Sequence, residues 1–360
     1  MGQNAPGFTP AYLPPQRDKV ETIEILRQTS RAAAALAELK GIAKTIPNQA
    51  MLINAIVLQE AKDSSEIENI ITTQDELYKA LIIHQSTVSS DTKEVVNYRK
   101  AIFHGFDFIQ AQGFLRINDI ISIQQQLVNN TAGIRSMPGT VLKNDTTGEV
   151  VYTPPQDKGE ILDLLSNFIT HFNQNEEDLS PLIKLAILHY QFESIHPFYD
   201  GNGRTGRILN ILYLIMNDLI EVPILYLSSY ITENKPEYYR LLNHTNRTGE
   251  WEAWILFMLR AVENTSLKTI AKINVIRQLL DRTIAEVQQK APKVYRKELV
   301  ELLFEMPYSK IEFVVNRLQV ERKAASRYLK EMEAIGILES QRVGRETLYI
   351  NKPLIEILKK

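Results

Sequence analysis

Residues 181 to 219 hold two apolar runs, joined by a segment through which no ordinary helix could pass: His196-Pro197-Phe198-Tyr199-Asp200-Gly201-Asn202-Gly203-Arg204-Thr205-Gly206-Arg207. Upstream, Leu182, Leu185, Ala186, Leu188 and Phe192 recur at three-to-four spacing behind Pro181, the pattern of a buried helix opened by proline in its first turn. Pro197 disfavours helical geometry at His196, so that helix ends with the imidazole at its tip. From Ile208 to Leu219 the chain is again apolar and helix-like. A helix–loop–helix follows. Its glycines fall where the second helix starts, so backbone N–H groups and the positive end of a helix dipole converge on one spot.

Such a spot suits phosphate. Gly201 and Gly203 let the main chain approach a ligand closely. Asn202 can donate an amide N–H. Arg204 and Arg207, three residues apart, carry guanidinium forks that match phosphate oxygens. Asp200 is a hard oxygen ligand of the kind Mg²⁺ takes alongside phosphates. His196, with an ordinary pKa of about 6.5, can take a proton from a hydroxyl near neutrality. Gly201 to Gly206 also spells the dinucleotide-binding G-x-G-x-x-G, but that fingerprint follows a strand and here a helix precedes it. A P-loop would need Gly-Lys-Ser/Thr, which is absent. A plain helix cap explains Asp and Gly, but not paired arginines beside His-Pro.

The twelve residues resemble the H-x-F-x-D/E-G-N-G-R-x-x-R motif of the Fic family at every specified position. The resemblance implies a mainly α, helical catalytic core that moves AMP from ATP to a Ser, Thr or Tyr hydroxyl of a target protein and releases pyrophosphate. By position, His196 would deprotonate the hydroxyl and Asp200 would hold Mg²⁺ between the α- and β-phosphates. Gly201, Asn202 and Gly203 would form an anion hole, Phe198 would anchor the loop, and Arg204 and Arg207 would bind the outer phosphates. Thr205 and Gly206 complete the implied ATP-binding stretch.

Far upstream, Ser64-Ser65-Glu66-Ile67-Glu68-Asn69 resembles the family's inhibitory motif S/T-x-x-x-E-G/N. On that resemblance Ser64 and Glu68 belong to an inhibitory helix that precedes the core. Glu68 would reach the ATP site and pair with Arg207, since a carboxylate and a phosphate cannot share one guanidinium fork. The bland alternative is a solvated acid at a helix end. Between the two motifs, Thr140–Lys143 and Glu149–Pro155 flank a polar turn at 144–148, a hairpin signal. It resembles the family flap, which aligns the target segment by strand addition. In Asn234–Leu242 a tyrosine, taken as Tyr239, is implied to line the nucleotide site. Trp251, Trp254 and His189 fit the core better.

Composition bounds the rest. The chain has 360 residues, a net charge of −2 and no cysteine, so disulfide, thiol and Cys/His zinc chemistry are excluded. The start has no secretory pattern and the longest apolar stretch is broken by polar residues, so a cytoplasmic protein with no membrane partner is expected. The expected organisation is an arm and inhibitory helical region over 1–88, a Fic core over 89–263, a connecting helix over 264–291 and a winged helix-turn-helix over 292–360. In the last, helices are expected at Val294–Phe304, Ser309–Leu318 and Glu321–Ile335, then a strand, a wing at Gly344-Arg345 and a return strand. Basic residues Arg322, Lys323, Arg327 and Lys330 suit phosphate contact with DNA, although Glu321, Glu331 and Glu333 share the helix. Similar proteins are often homodimers, and if Glu68 orients a water the same site would remove AMP. Two other functions stay open: Fic-fold transfer of another phosphate-linked group, and a nucleotide-sensing, DNA-binding regulator. The intact Gly-Asn-Gly and second arginine argue against the phosphate-transferring Doc-like variant.

Overall fold

The computed structural model describes residues 9–46, 48–82, 88–143, 148, 150–174, 179–344 and 346–359. The expected mainly α architecture is present. Helix α1 (Ile23–Ala43) buries Ile25, Ala32, Leu36 and Leu39 along one stripe and lies against α11 (Glu252–Lys290), the longest helix among the described residues. The seam expected at 263/264 therefore falls inside α11. No helix breaker occurs there, and buried residues continue at helical spacing from Trp254 to Val287. No helix among the described residues is long and apolar enough to cross a membrane.

The centre is built from α7 (Pro181–Ile195) and α8 (Asn202–Met216), both almost entirely buried. Around them stand α2 (Gln49–Ile67), α4 (Ser90–Gln112), α5 (Ile117–Val128) and α6 (Lys158–Asn173). A short α3 (Gln74–Ile82) follows α2. Beyond α8, α9 (Leu227–Glu233) packs on α2, and α10 (Lys235–Thr248) leads into α11. The described part of the N-terminal arm crosses α6 and α7. Asn167 pairs with both backbone groups of Leu13 (2.7 and 3.0 Å), and Gln191 donates to the Ala11 carbonyl.

The hairpin expected as a flap is present and shorter than expected: β1 (Leu142–Lys143) pairs antiparallel with β2 (Val150–Tyr152), with a bulge beside Leu142. Its turn, 144–147, and Glu149 lie outside the described residues. The C-terminal part contains α12 (Lys297–Glu305), β3 (Tyr308–Ser309), α13 (Ile311–Leu318), α14 (Arg322–Ala334), β4 (Glu339–Val343) and β5 (Glu346–Ile350). These form the expected winged helix-turn-helix. Two details differ. Tyr308–Ser309 joins the sheet as its third strand, in the order β3-β5-β4, instead of opening a helix, because Lys310 is the extended N-cap of α13. A final helix, α15 (Lys352–Lys359), packs back on α11. Of the expected wing turn, Arg345 lies outside the described residues.

Candidate active site

His196 is the C-cap of α7, with φ 49° and ψ 60°, and its N–H still donates to the Phe192 carbonyl (3.0 Å). A non-glycine residue in left-handed geometry needs support from its surroundings. Arg135 supplies it. This fully buried guanidinium donates from Nε to the His196 carbonyl (2.7 Å) and from Nη2 to those of Ile195 (3.3 Å) and Pro155. Backbone pairing of Arg135 N–H with the Pro197 carbonyl and of Ile134 with Phe198 ties the same loop to the base of the flap. Tyr152 of β2 donates to the Ser194 carbonyl (2.6 Å), and the Tyr199 hydroxyl accepts the N–H groups of Ser136 and Met137. Flap and loop are thus one unit.

The His196 ring is half-buried, and its Nδ1 is enclosed without a well-aligned hydrogen bond. Burial, then the charge of Arg135, pushes its pKa down to about 4, while Glu68 and the Glu193 carbonyl act in the opposite direction. The imidazole is consequently neutral at pH 7, the form a general base needs.

Asn202 locks the loop. Its Oδ1 accepts the Phe198 N–H and its Nδ2 donates to the Phe198 carbonyl, both at 2.8 Å, with Phe198 fully buried. One of the two amide N–H groups of Asn202 is thus given to the Phe198 carbonyl, and an anion is offered the other together with backbone N–H at the start of α8. Gly201 caps that helix with φ 79°, and a Cβ there would lie 2.8 Å from Val128. Thr205 and Gly206 face the core: Thr205 is fully buried, and Gly206 abuts Phe192 and Glu193. They offer a ligand helix geometry and no side chain.

Both arginines are buried, and both already hold carboxylates. Arg207 donates from Nη2 to Glu68 Oε1 (2.8 Å) and to the Ser64 carbonyl (2.8 Å), and from Nε to Ser64 Oγ (2.7 Å). Ser64 and Glu68 thus act as one clamp at the end of α2, where Glu68 is the C-cap. Burial works to raise the Glu68 carboxyl, but Arg207 overrides it and the group stays below its ordinary value. Burial likewise lowers Arg207, and Glu68 together with Tyr98, Glu193 and Tyr238 more than reverses that. Gly203 makes the clamp fit, because a Cβ would stand 2.4 Å from Glu68 Oε1 and 2.9 Å from Arg207 Nη1. Arg204 pairs with Glu94 of α4 (2.8 Å) and with Asp200 (3.2 Å). Glu94 and Arg135 are the residues that sequence reading missed. Neither lies in a motif, and only the fold brings them to the loop.

Asp200 keeps its side chain 63% exposed, while its carbonyl accepts from Gln124 (3.0 Å). Among the described residues no three of His, Cys, Asp and Glu converge as a metal cage. One exposed carboxylate beside an anion site fits Mg²⁺, which keeps several waters and arrives with phosphates. Tyr239 is half-buried, with its ring 5.2 Å from that of Tyr238. It lies one turn beyond Lys235, whose ammonium donates to the Ile67 carbonyl (2.6 Å), so α10 runs past the end of the clamp. Tyr238 itself is core, bonded to His189 (2.9 Å).

Three family patterns match the chain: Fic/DOC family N-terminal over 26–107, Fic/DOC family over 114–214, and the protein adenylyltransferase SoFic-like C-terminal domain over 279–354. A protein adenylyltransferase Fic from Nematostella vectensis is 26% identical over 188 residues, 52% of this chain and 40% of that protein. A probable protein adenylyltransferase of Aquifex aeolicus is 42% identical over 64 residues, 18% of this chain and 20% of that protein. The chain therefore spans less than half the length of these relatives. In fold, it is similar to a Fic family protein from Desulfovibrio desulfuricans, with a TM-score of 0.62 and 17% identity, over 94% of this chain and 98% of that one.

Proposed function

Because this chain belongs to the Fic/DOC family, we propose that it is a protein adenylyltransferase, moving AMP from ATP to a hydroxyl of a protein and held in check by Glu68. The observation that carries the reading is the clamp on Arg207 at the amino end of α8, beside a neutral imidazole. A guanidinium in that place is built to hold a terminal phosphate, and Glu68 occupies it in phosphate's stead.

In the reaction, neutral His196 takes the proton of the target hydroxyl, and the hydroxyl oxygen forms a bond to the α-phosphorus. The bond from that phosphorus to the bridging oxygen breaks, and pyrophosphate leaves with the electron pair. Backbone N–H groups at the start of α8 hold the phosphate charge, and Arg207, once released, holds the terminal phosphate. Mg²⁺, when bound, neutralises phosphate charge, and Asp200 is the carboxylate placed to hold it. The short edge of β2 gives a target segment a strand to pair with. Arg135 keeps that edge and the imidazole in fixed relation.

At the other end of the molecule, Arg322, Lys323, Arg327 and Lys330 are exposed on α14, and none forms an ion pair among the described residues. That face supports contact with nucleic-acid phosphates as a second, separate property.

The test is direct. Wild type, Glu68→Gly and His196→Ala are incubated with Mg²⁺ and ATP labelled in its α-phosphate, and protein-bound label is measured. The reading predicts weak label for wild type, strong label for Glu68→Gly and none for His196→Ala. Label from γ-labelled ATP alone would instead make the chain a phosphate-transferring enzyme.

A further inference from the structure

Arg204 is enclosed, its side chain 3% exposed, and among the described residues its ion-pair partners are Glu94 and Asp200. The two are unequal. Glu94 Oε2 lies 2.8 Å from Nη1, whereas Asp200 Oδ1 lies 3.2 Å from Nη2. Asp200 comes from the loop itself, four residues before the arginine. Glu94 comes from α4, which packs against α8 along the core.

Asp200 faces two demands. Proposed as the carboxylate that holds Mg²⁺, it also stands beside a buried cation that competes with the metal for the same oxygens. A buried guanidinium left with a single carboxylate would hold it strongly, because breaking such a pair strands a charge. Glu94 changes that balance. Its charge compensates Arg204 from the side of α4, so Asp200 faces a neutralised pair in place of a full cation. The main chain is prepared for this too: Gln124 fixes the Asp200 carbonyl while its carboxylate stays open to solvent, so the side chain can turn without moving the loop.

We infer that Glu94 is a positioning residue of the nucleotide site: by holding Arg204 it frees Asp200 for Mg²⁺ and keeps the guanidinium in place when Asp200 turns to the metal. The assignment rests on the proposed nucleotide site and names a residue that neither motif contains. It also sets Glu94 apart from Glu68. Both carboxylates hold motif arginines, but Glu68 blocks a phosphate position and its removal activates, whereas Glu94 supports the metal position and its removal impairs.

The experiment uses the full chain carrying Glu68→Gly, with Glu94 left intact or changed to Ala, Gln or Asp. ATP binding is followed by calorimetry across a series of Mg²⁺ concentrations, and the melting temperature of each nucleotide-free variant is recorded. Glu94→Ala and Glu94→Gln are expected to raise the Mg²⁺ concentration for half-maximal ATP binding about five- to tenfold, and Glu94→Asp to restore much of the shift. Because Gln keeps a hydrogen-bonding group and loses the charge, its agreement with Ala identifies charge as the cause. An unchanged or lowered Mg²⁺ requirement in Glu94→Gln overturns the assignment, whatever happens to melting temperature. If the Glu94-intact parent takes up no Mg²⁺-ATP, the nucleotide reading falls and this assignment with it. Normal uptake by the parent with an unmoved Mg²⁺ dependence removes this assignment alone.

Discussion

Two residues, His196 and Arg207, carry the proposed chemistry. The histidine is prepared by burial and by Arg135, which together hold its pKa near 4 and keep it neutral. The acid limb of kcat/KM for the Glu68→Gly protein is therefore expected well below the ordinary histidine value of about 6.5. The sign is definite. Glu68 favours the protonated ring, so its removal moves the limb further down. A pH–rate profile with its acid limb at 6 or above would contradict this. His196→Ala is expected to lower transfer by about 10²–10⁴-fold. For Glu68→Gly, losing a charge-assisted pair of roughly 1.5–3 kcal/mol translates into a rise of about 10- to 100-fold in labelled product. The sequence displayed most of this chemistry, because the motif is continuous and each residue type has a narrow use. What it concealed were long-range partners. The motif did not show that Asn202 also ties down the Phe198 backbone, and Glu94 sits 110 residues from the arginine it holds.

Among the elements, α2 carries both residues that hold Arg207, Ser64 and Glu68. It is anchored above the clamp by Glu60, which is fully buried and accepts from Tyr98 (3.0 Å), from the Ser228 N–H (3.1 Å) and from the Ser228 hydroxyl. Burial raises the Glu60 carboxyl to about 7 against its hydrogen bonds, with Asp63 adding and Arg207 opposing. Its folded pKa lies above the unfolded value, so its contribution to stability is complete below the unfolded pKa of 4.5 and is lost as pH rises through 7. Glu60→Gln removes that loss. The variant's melting temperature relative to wild type is expected to climb between pH 5 and pH 8 by roughly 2 °C or more. A difference that is flat over that range would mean Glu60 does not titrate there. Element types were mostly legible, since buried helices announce themselves by spacing. Boundaries were not: Tyr308–Ser309 became a strand because β5 was there to receive it, which is tertiary pairing invisible to local pattern.

In the molecule as a whole, the C-terminal winged helix is docked onto α2 and α3. Tyr308 donates to Asp75 and stacks on Tyr78 with ring centres 5.5 Å apart, and Asn48, the N-cap of α2, donates to Glu305 of α12 (3.0 Å). Tyr308→Phe keeps the stack and removes the hydrogen bond, so a loss of about 1 kcal/mol in unfolding free energy is expected from denaturant titration. No loss would show the contact to be incidental. Composition and motifs led to an expected order of N-terminal helices, Fic core, connecting helix and winged helix. The continuity of α11 across the expected seam, and the way both ends of the chain return to it through α1 and α15, could not be seen there. Those follow from which apolar faces meet, and a single sequence does not pair faces.

The central claim is that Glu68 occupies the place of a nucleotide's terminal phosphate at the amino end of α8. A crystal structure of the Glu68→Gly protein with Mg²⁺ and a non-hydrolysable ATP tests it most directly. The triphosphate is expected along the start of α8, with its terminal phosphate on Arg207 and its α-phosphorus facing the His196 ring. A nucleotide bound elsewhere, with Arg207 still gripping Ser64 alone, would contradict it.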